Sequence, residues 1–161
     1  MTLRKLLAAG ACVVVLAVPG AARAEAPGVF VAEVKAPLDE VYKRVNKSLD
    51  GAGYWVAYEL DMFKGMSGSL GRKLGEDFNR AKLEGIRTMV FCNGEQANQV
   101  MNADPDMLAL CPMHLTLIHK AGATKVLFAR PSIAGKGSAA EPALKQIEDA
   151  VIGVIRAGTA Q

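Results

Sequence analysis

The stretch "MHLTLIHKAGATKVLFAR", residues 113–130, decides the fold class of this chain. Large apolar residues recur at every second position on both sides of its centre, which is the period of a β-strand with one buried face. Ala121, Gly122 and Ala123 separate the two runs as turn residues. Residues 113–119 and 124–130 are therefore predicted to pair as an antiparallel hairpin.

Strand and helix patterns are mixed along the rest of the chain. Strand patterns cover residues 29–34, 54–60 and 86–92, and a short helix is predicted at 95–102. Two longer amphipathic helices are predicted, one opened by Pro37 and the other with an apolar stripe from Leu144 to Ile155. We predict an α+β two-layer sandwich: a mostly antiparallel sheet of about five strands, with the helices packed on one face.

A glycine-rich insertion, at about residues 61–85, separates the second and third predicted strands. It contains glycines at 65, 68, 71 and 75 together with charges of both signs. Leu70, Leu74 and Phe78 recur every four residues, which predicts a short helix inside it. Its glycine spacing fits neither of the common phosphate-binding motifs.

The first 24 residues have the plan of a secretory signal peptide, with Arg4 and Lys5 before an apolar run and Ala22-Arg23-Ala24 at its end. The apolar run is too short for a membrane span. Removal of residues 1–24 lowers the number of basic residues from 19 to 16, which equals the number of acidic residues. Residues 25–161 are thus predicted to form one neutral domain, periplasmic or secreted, with no electrostatic footprint for nucleic acid and no stable membrane span after processing.

Cys92 and Cys111 are the two cysteines that remain after removal of the signal. In an oxidising compartment a structural disulfide between them is the first expectation. Free buried thiols are the second. The third is a metal or haem site formed by Cys92, Cys111 and His114, or a thiol–disulfide redox pair, which an approachable cysteine of low pKa would indicate.

Strand alternation limits that third hypothesis. Met113 and His119 are predicted to share one face of their strand, whereas His114 points to the other, so the three cannot serve one site. A methionine beside Leu115 and Leu117 is more often a core residue than a ligand.

The sheet face opposite the helices is predicted to be covered in the working state. Both alternating sets of the third strand are apolar, and an exposed apolar patch of several hundred Å² is unusual on a soluble monomer. Trp55, Met89 and Phe91 are the residues that we assign to this interface or ligand face. The insertion, a second copy of the chain or a small apolar molecule are the three candidates to cover it.

Several segments together carry a family resemblance. The opening "VKAPLDEVYKRVNKSLDGAGYWV", a strand that ends in "VFCN", and the later "NADPDMLALCP" resemble the domain-of-unknown-function 302 family over about residues 29–131. The resemblance implies a small α+β domain that tends to form dimers, and it supplies no catalytic residues. Two features depart from the family pattern: Asn93-Gly94 stands where many members have Asn-Pro, and the insertion is long.

Catalytic constellations are poor in this sequence. It shows no Ser-His-Asp order, paired-carboxylate motif or H-E-x-x-H helix. We therefore predict an exported domain that acts by binding a partner protein or a small ligand. A metal or haem accessory protein is the alternative, and a thiol oxidoreductase is the third hypothesis.

Overall fold

The computed structural model describes residues 27–160, so the predicted signal peptide, residues 1–24, lies outside the described residues. The strands of the sheet are β1 (Val29–Val34), β2 (Trp55–Asp61), β3 (Gly85–Cys92), β4 (Met113–Lys120) and β5 (Ala123–Ala129). Their order is β1-β5-β4-β3-β2, and every neighbouring pair is antiparallel. The edges of the sheet are therefore β1 and β2.

The helices are α1 (Leu38–Gly51), α2 (Met62–Ser67), α3 (Ser69–Leu74), α4 (Gly94–Ala103), α5 (Pro131–Ala134) and α6 (Glu141–Thr159), with 3₁₀ turns at Gly75–Asp77 and Pro105–Leu110. The long helices α1 and α6 pack against each other and against one face of the sheet. The predicted α+β sandwich is confirmed. None of the helices among residues 27–160 is long and apolar enough to cross a membrane.

The hairpin of β4 and β5 forms as its sequence predicts. Ala121 and Gly122 connect the strands with φ angles of 51° and 75°. Two successive left-handed residues match the right-handed twist of the paired strands, which is the geometry that two-residue hairpins favour. The register that follows places Leu115, Leu117, Val126 and Phe128 on the helix face.

The core lies between this face and the two long helices. Helix α1 contributes Val41, Val45 and Leu49, and α6 contributes Leu144, Ile147, Val151 and Ile155. Close contact between the helices depends on Gly158, because a Cβ atom at that position would lie 2.8 Å from the Cα of Val45. A side chain would push α6 away from α1.

An ion pair between half-buried Arg130 and fully buried Glu148 joins the start of α5 to α6. Both Glu148 oxygens are hydrogen-bonded: Oε1 accepts from Nε and Nη2 of Arg130 at 2.9 and 2.8 Å, and Oε2 accepts from the backbone N–H and the hydroxyl of Ser132. Burial opposes ionisation of Glu148, but these hydrogen bonds outweigh it and lower the pKa of Glu148 below its usual value.

The assignment of Met89 and Phe91 to the open face of the sheet is wrong. Both side chains are fully buried in the core on the helix face. The residues of β3 that face away from the helices are Ile86, Thr88, Val90 and Cys92, and all four are half-buried. Because both alternating sets are apolar, the pattern of β3 alone could not tell which one meets the helices.

The insertion covers part of the open face. It begins with α2, and the hydroxyl of Thr88 lies 3.1 Å from the Met62 sulfur. The predicted helix inside it is present as the short α3, where Gly71 lies against the ring of Phe78. The insertion leaves exposed the part of the face formed by β2.

Candidate functional site

A groove runs between α1 and the edge strand β2. Its volume is about 1150 Å³, and it is open to solvent. Helix α1 forms one wall through Asp39, Tyr42, Lys43, Asn46, Lys47 and Asp50, and residues 54–59 together with Arg87 form the other wall and the floor. Since β2 is the last strand of the sheet, one edge of its backbone has no strand partner among residues 27–160.

Buried polar atoms of Tyr42, Tyr54 and Arg87 lie beneath the groove. Tyr42 and Tyr54 are almost completely buried; the Glu59 carboxylate lies beside the Tyr42 hydroxyl, and the Gln96 side chain lies beside the Tyr54 hydroxyl. These hydroxyls and Nε of Arg87 have almost no accessible surface. They therefore support the walls of the groove from inside, and its open surface is formed by other groups.

Arg87 is held in position by two contacts with α1. Its guanidinium lies 4.0 Å from the centre of the Tyr42 ring, and its Nη1 donates to Asp39 at 2.8 Å. Burial, and then the nearby Glu59 carboxylate, raise the pKa of Tyr42 above its ordinary value. Burial also raises the pKa of Tyr54. Both phenols therefore stay protonated and can donate a hydrogen bond.

The rim of the groove carries exposed aromatic residues. Trp55 and Tyr58 are 58% and 60% exposed, and Leu60 is also exposed. A β-bulge at Ala57 shifts the register between Val56 and Tyr58. Strict alternation would place Trp55 and Tyr58 on opposite faces, but the bulge places both, with Leu60, on the open face. Trp55 therefore lies on the sheet face opposite the helices, the face to which the sequence pattern assigned it.

The charged residues of the groove differ in how far they are neutralised. Asp39 pairs with Arg87, and Glu59 accepts a hydrogen bond from the Asn46 amide at 2.7 Å. Lys43 and Lys47 form no ion pair with any residue between 27 and 160. Both lysines are exposed on the α1 wall, one turn apart, and the exposed Asp50 of the same wall also forms no ion pair with any residue between 27 and 160.

Cys92 and Cys111 lie close together at one end of the β3–β4 ladder. Both are free thiols in this structure and both are half-buried. Burial, reinforced by the neighbouring Cys92 thiol, raises the pKa of Cys111 to about 11. A redox-active cysteine has the opposite property, a lowered pKa and an accessible sulfur.

The histidines point to opposite faces of β4, as alternation predicts. His114 is exposed on the open face and pairs in register with Val90. His119 belongs to a structural network: its Nδ1 lies 2.9 Å from the Thr124 hydroxyl, which itself donates to the Ala36 carbonyl. Because that hydroxyl has one hydrogen, Nδ1 of His119 is the donor in their contact.

The structure therefore brings together only part of the predicted metal or haem set. Cys92 and Cys111 are neighbours, but no group of three His, Cys, Asp or Glu side chains within 27–160 is placed to hold a metal ion. Cys92, Cys111 and His114 do not form such a group.

Comparison with known proteins agrees with this architecture. The family model of the domain of unknown function DUF302 matches residues 30–158. The chain belongs to the DUF302 family. A solved structure described as an uncharacterized conserved DUF302 protein from Bacillus stearothermophilus shares the fold, with a TM-score of 0.66 and 21% identity over 82% of this chain and 98% of that one. No curated protein matches.

Most of the groove of this DUF302 domain was not found from the sequence. The helical spacing of Tyr42 indicates only a core residue of α1, and no local pattern marks Lys43 or Lys47. Arg87 did give one, because it shares its strand face with Met89 and Phe91, and a charged residue in an otherwise buried set needs a partner. The partner, Asp39, is 48 residues away in the chain.

Proposed function

We propose that this DUF302 chain is an exported binding domain, periplasmic or secreted, and that its ligand site is the groove between α1 and β2. One observation carries the proposal: a groove of about 1150 Å³ joins two exposed aromatic side chains, Trp55 and Tyr58, to polar and charged side chains of α1. An aromatic rim around a few convergent polar groups is the usual composition of a binding site.

The other hypotheses have less support. A thiol oxidoreductase needs a reactive thiolate, whereas the pKa of Cys111 is raised to about 11. A metal or haem accessory role for Cys92, Cys111 and His114 needs a cluster of ligands that residues 27–160 do not present. No observation favours either role over binding.

Site-specific photocrosslinking tests the binding role. A benzophenone amino acid is placed at Tyr58, on the rim of the groove, and in a control protein at Ile133, which is exposed on α5 away from the groove lining. After illumination of the producing cells, intact mass registers adducts of both small molecules and proteins. We expect an adduct of defined mass from position 58 and none from position 133. Equal adducts at both positions, or none at position 58, would contradict the proposal.

Export is a separate part of the proposal, supported by the signal-like residues 1–24. The intact mass of the protein from its own cells should correspond to a chain that begins at Glu25. Retention of Met1 together with membrane association would exclude cleavage.

We also propose that Cys92 and Cys111 form a disulfide after export, because their thiols are neighbours and the expected compartment is oxidising. The bridge would close a loop of about 20 residues and contribute roughly 3 kcal/mol in the chain-entropy model. Thiol titration of the denatured exported protein, without reductant, should find no free thiol. Two free thiols would exclude the bridge.

A further inference from the structure

A second cavity lies on the open face of the sheet, between the insertion and the hairpin of β4 and β5. Its volume is about 620 Å³, which is in the range of sites that hold small molecules. Ile118 and Ala123 of the hairpin line one side, and Ala81 and Leu83 of the insertion line the other. The cavity shares no lining residue with the groove between α1 and β2.

Hydrogen bonds fix the wall that the insertion contributes. The Asn79 side chain donates to the Leu83 carbonyl at 2.7 Å and accepts from the Leu83 N–H at 2.9 Å. The Glu84 N–H donates to the His119 carbonyl at 2.8 Å, and the Ala121 N–H donates to the Glu84 carboxylate at 3.1 Å. Because these bonds join the insertion to β4 and to the hairpin turn, the cavity is formed before any ligand enters.

Lysine side chains dominate the charge of this cavity. Lys120 pairs in register with Ala123, and Lys125 follows two residues along β5, so both lysines project from the open face beside a small side chain. Lys125 pairs with Glu33 at 3.1 Å, and Glu33 is the one carboxylate of the lining. Lys35, just after β1, completes the set; like Lys120, it forms no ion pair with any residue that the structure describes.

This excess of positive charge selects an anion as the ligand. Three ammonium groups and one carboxylate leave two positive charges of the lining uncompensated. Glu84, at the end of the insertion, does not pair with a lysine: its carboxylate accepts from the Ala121 N–H and lies 3.5 Å from Nε2 of His119. Ammonium groups that line one cavity repel each other, so an anion between Lys35 and Lys120 would lower the electrostatic energy.

The apolar side chains of the cavity select the rest of the ligand. Leu83 and Ile118 are half-buried and face each other across it. An apolar chain placed between them would remove its own surface and theirs from water. The methylene stems of the lysines extend this apolar surface toward the ammonium groups. The cavity therefore fits a molecule that has an apolar body and an anionic group at one end.

We propose that this cavity is a second binding site, which takes a small amphipathic anion: its apolar body lies on Leu83 and Ile118, and its anionic group lies between Lys35 and Lys120. A carboxylate and a phosphate head group would meet the same lysines, so the class is defined by an alkyl chain with one anionic head. The inference does not rest on the groove between α1 and β2.

Calorimetric titration of the purified protein with dodecanoate, below its micelle concentration, tests the proposal. We expect a single saturable site. Octanoate should bind about tenfold or more weakly, because its shorter chain buries less apolar surface. Dodecyl phosphate distinguishes the two head groups, since the tighter ligand identifies the head that the lysines prefer. The methyl resonances of Leu83 and Ile118 should shift on binding, and those of Val56, in the other groove, should not.

Charge and volume variants test the two parts of the site separately. Lys35→Gln with Lys120→Gln should weaken dodecanoate binding about tenfold or more. The matched control is Lys64→Gln with Lys136→Gln, which removes the same charge from exposed lysines outside the cavity lining and should leave binding unchanged. Ala81→Trp, at an exposed position of the wall, should fill the cavity and block binding without unfolding the chain.

Several results would overturn the inference. They are the absence of saturable binding, unchanged affinity in the Lys35 and Lys120 double variant or in Ala81→Trp, and equal binding of dodecanoate and the cationic dodecyltrimethylammonium. Shifts at Val56 in place of Leu83 would locate the amphiphile in the groove and would also overturn it. None of these results decides the proposed function, which crosslinking at position 58 tests.

Discussion

The close approach of α1 and α6 at Gly158 yields the sharpest stability prediction. In Gly158→Ala the new methyl group would lie 2.8 Å from Cα and 2.9 Å from Cγ2 of Val45. An ordinary carbon–carbon contact is about 3.5 Å, so the two helices would have to separate by roughly 0.7 Å. Overpacking of this kind costs about 1–3 kcal/mol.

Gly153→Ala is the matched control on the same helix. An added Cβ at Gly153 meets no atom within 4 Å, and the residue is exposed. Gly to Ala gains about 1 kcal/mol of helix propensity in a helix interior, as at Gly153, and less at Gly158, the penultimate residue of α6. The difference between the variants therefore contains the overpacking cost and this smaller term, and we expect at least about 1–3 kcal/mol in favour of Gly153→Ala.

Urea unfolding measures this difference, with Trp55 fluorescence and far-UV circular dichroism as probes. The midpoint should fall in Gly158→Ala and rise slightly in Gly153→Ala, with the same m-value in both. Equal stability of the two variants would refute the argument that bare backbone at Gly158 sets the spacing of the helices.

Three other predictions concern single side chains. Arg87→Ala should lower the free energy of unfolding by about 1–2 kcal/mol, because Arg87 stacks on a buried ring. Arg80→Ala is the control: it breaks an ion pair in which both side chains are exposed. It should change the free energy of unfolding by less than about 0.5 kcal/mol in the same urea assay. The pKa of Glu148 is lower in the folded chain than in the unfolded one, so its contribution to stability is present above the unfolded value and lost as pH falls through the folded value; a melting-temperature profile of Glu148→Gln should therefore decline less on acidification than that of the wild type. The pKa of Cys111 is raised to about 11. In the reduced protein near pH 8, iodoacetamide should therefore modify Cys111 at least about tenfold more slowly than an unperturbed cysteine. Peptide mass mapping measures the two rates, and equal rates would contradict the raised pKa.

Local patterns predicted the elements of this domain well. The hairpin of β4 and β5 was specified by alternation on both sides of a turn that tolerates positive φ, and the structure has it at the expected residues. Helix α6 was equally clear, because its apolar stripe has a single period over many residues. These features depend on neighbours in the chain, so the sequence contains the information directly.

The candidate site was predicted less well because it depends on residues far apart in the chain. The sequence assigned Trp55, Met89 and Phe91 to the sheet face opposite the helices; Trp55 lies there, whereas Met89 and Phe91 are in the core. No sequence pattern near Ala57 predicts the bulge there, yet this bulge determines which side chains of β2 share a face.

The sequence by itself determined the α+β class, the family and the antiparallel hairpin. Periodicity, turn chemistry and composition act over a few residues, and this information survives without tertiary structure. Only the tertiary structure decided which face of β3 meets the helices, that β2 ends the sheet, and that Arg87 reaches α1. Strand order and register are set by the packing of the whole core, because both faces of β3 are apolar enough to be buried and only the docked helices choose between them.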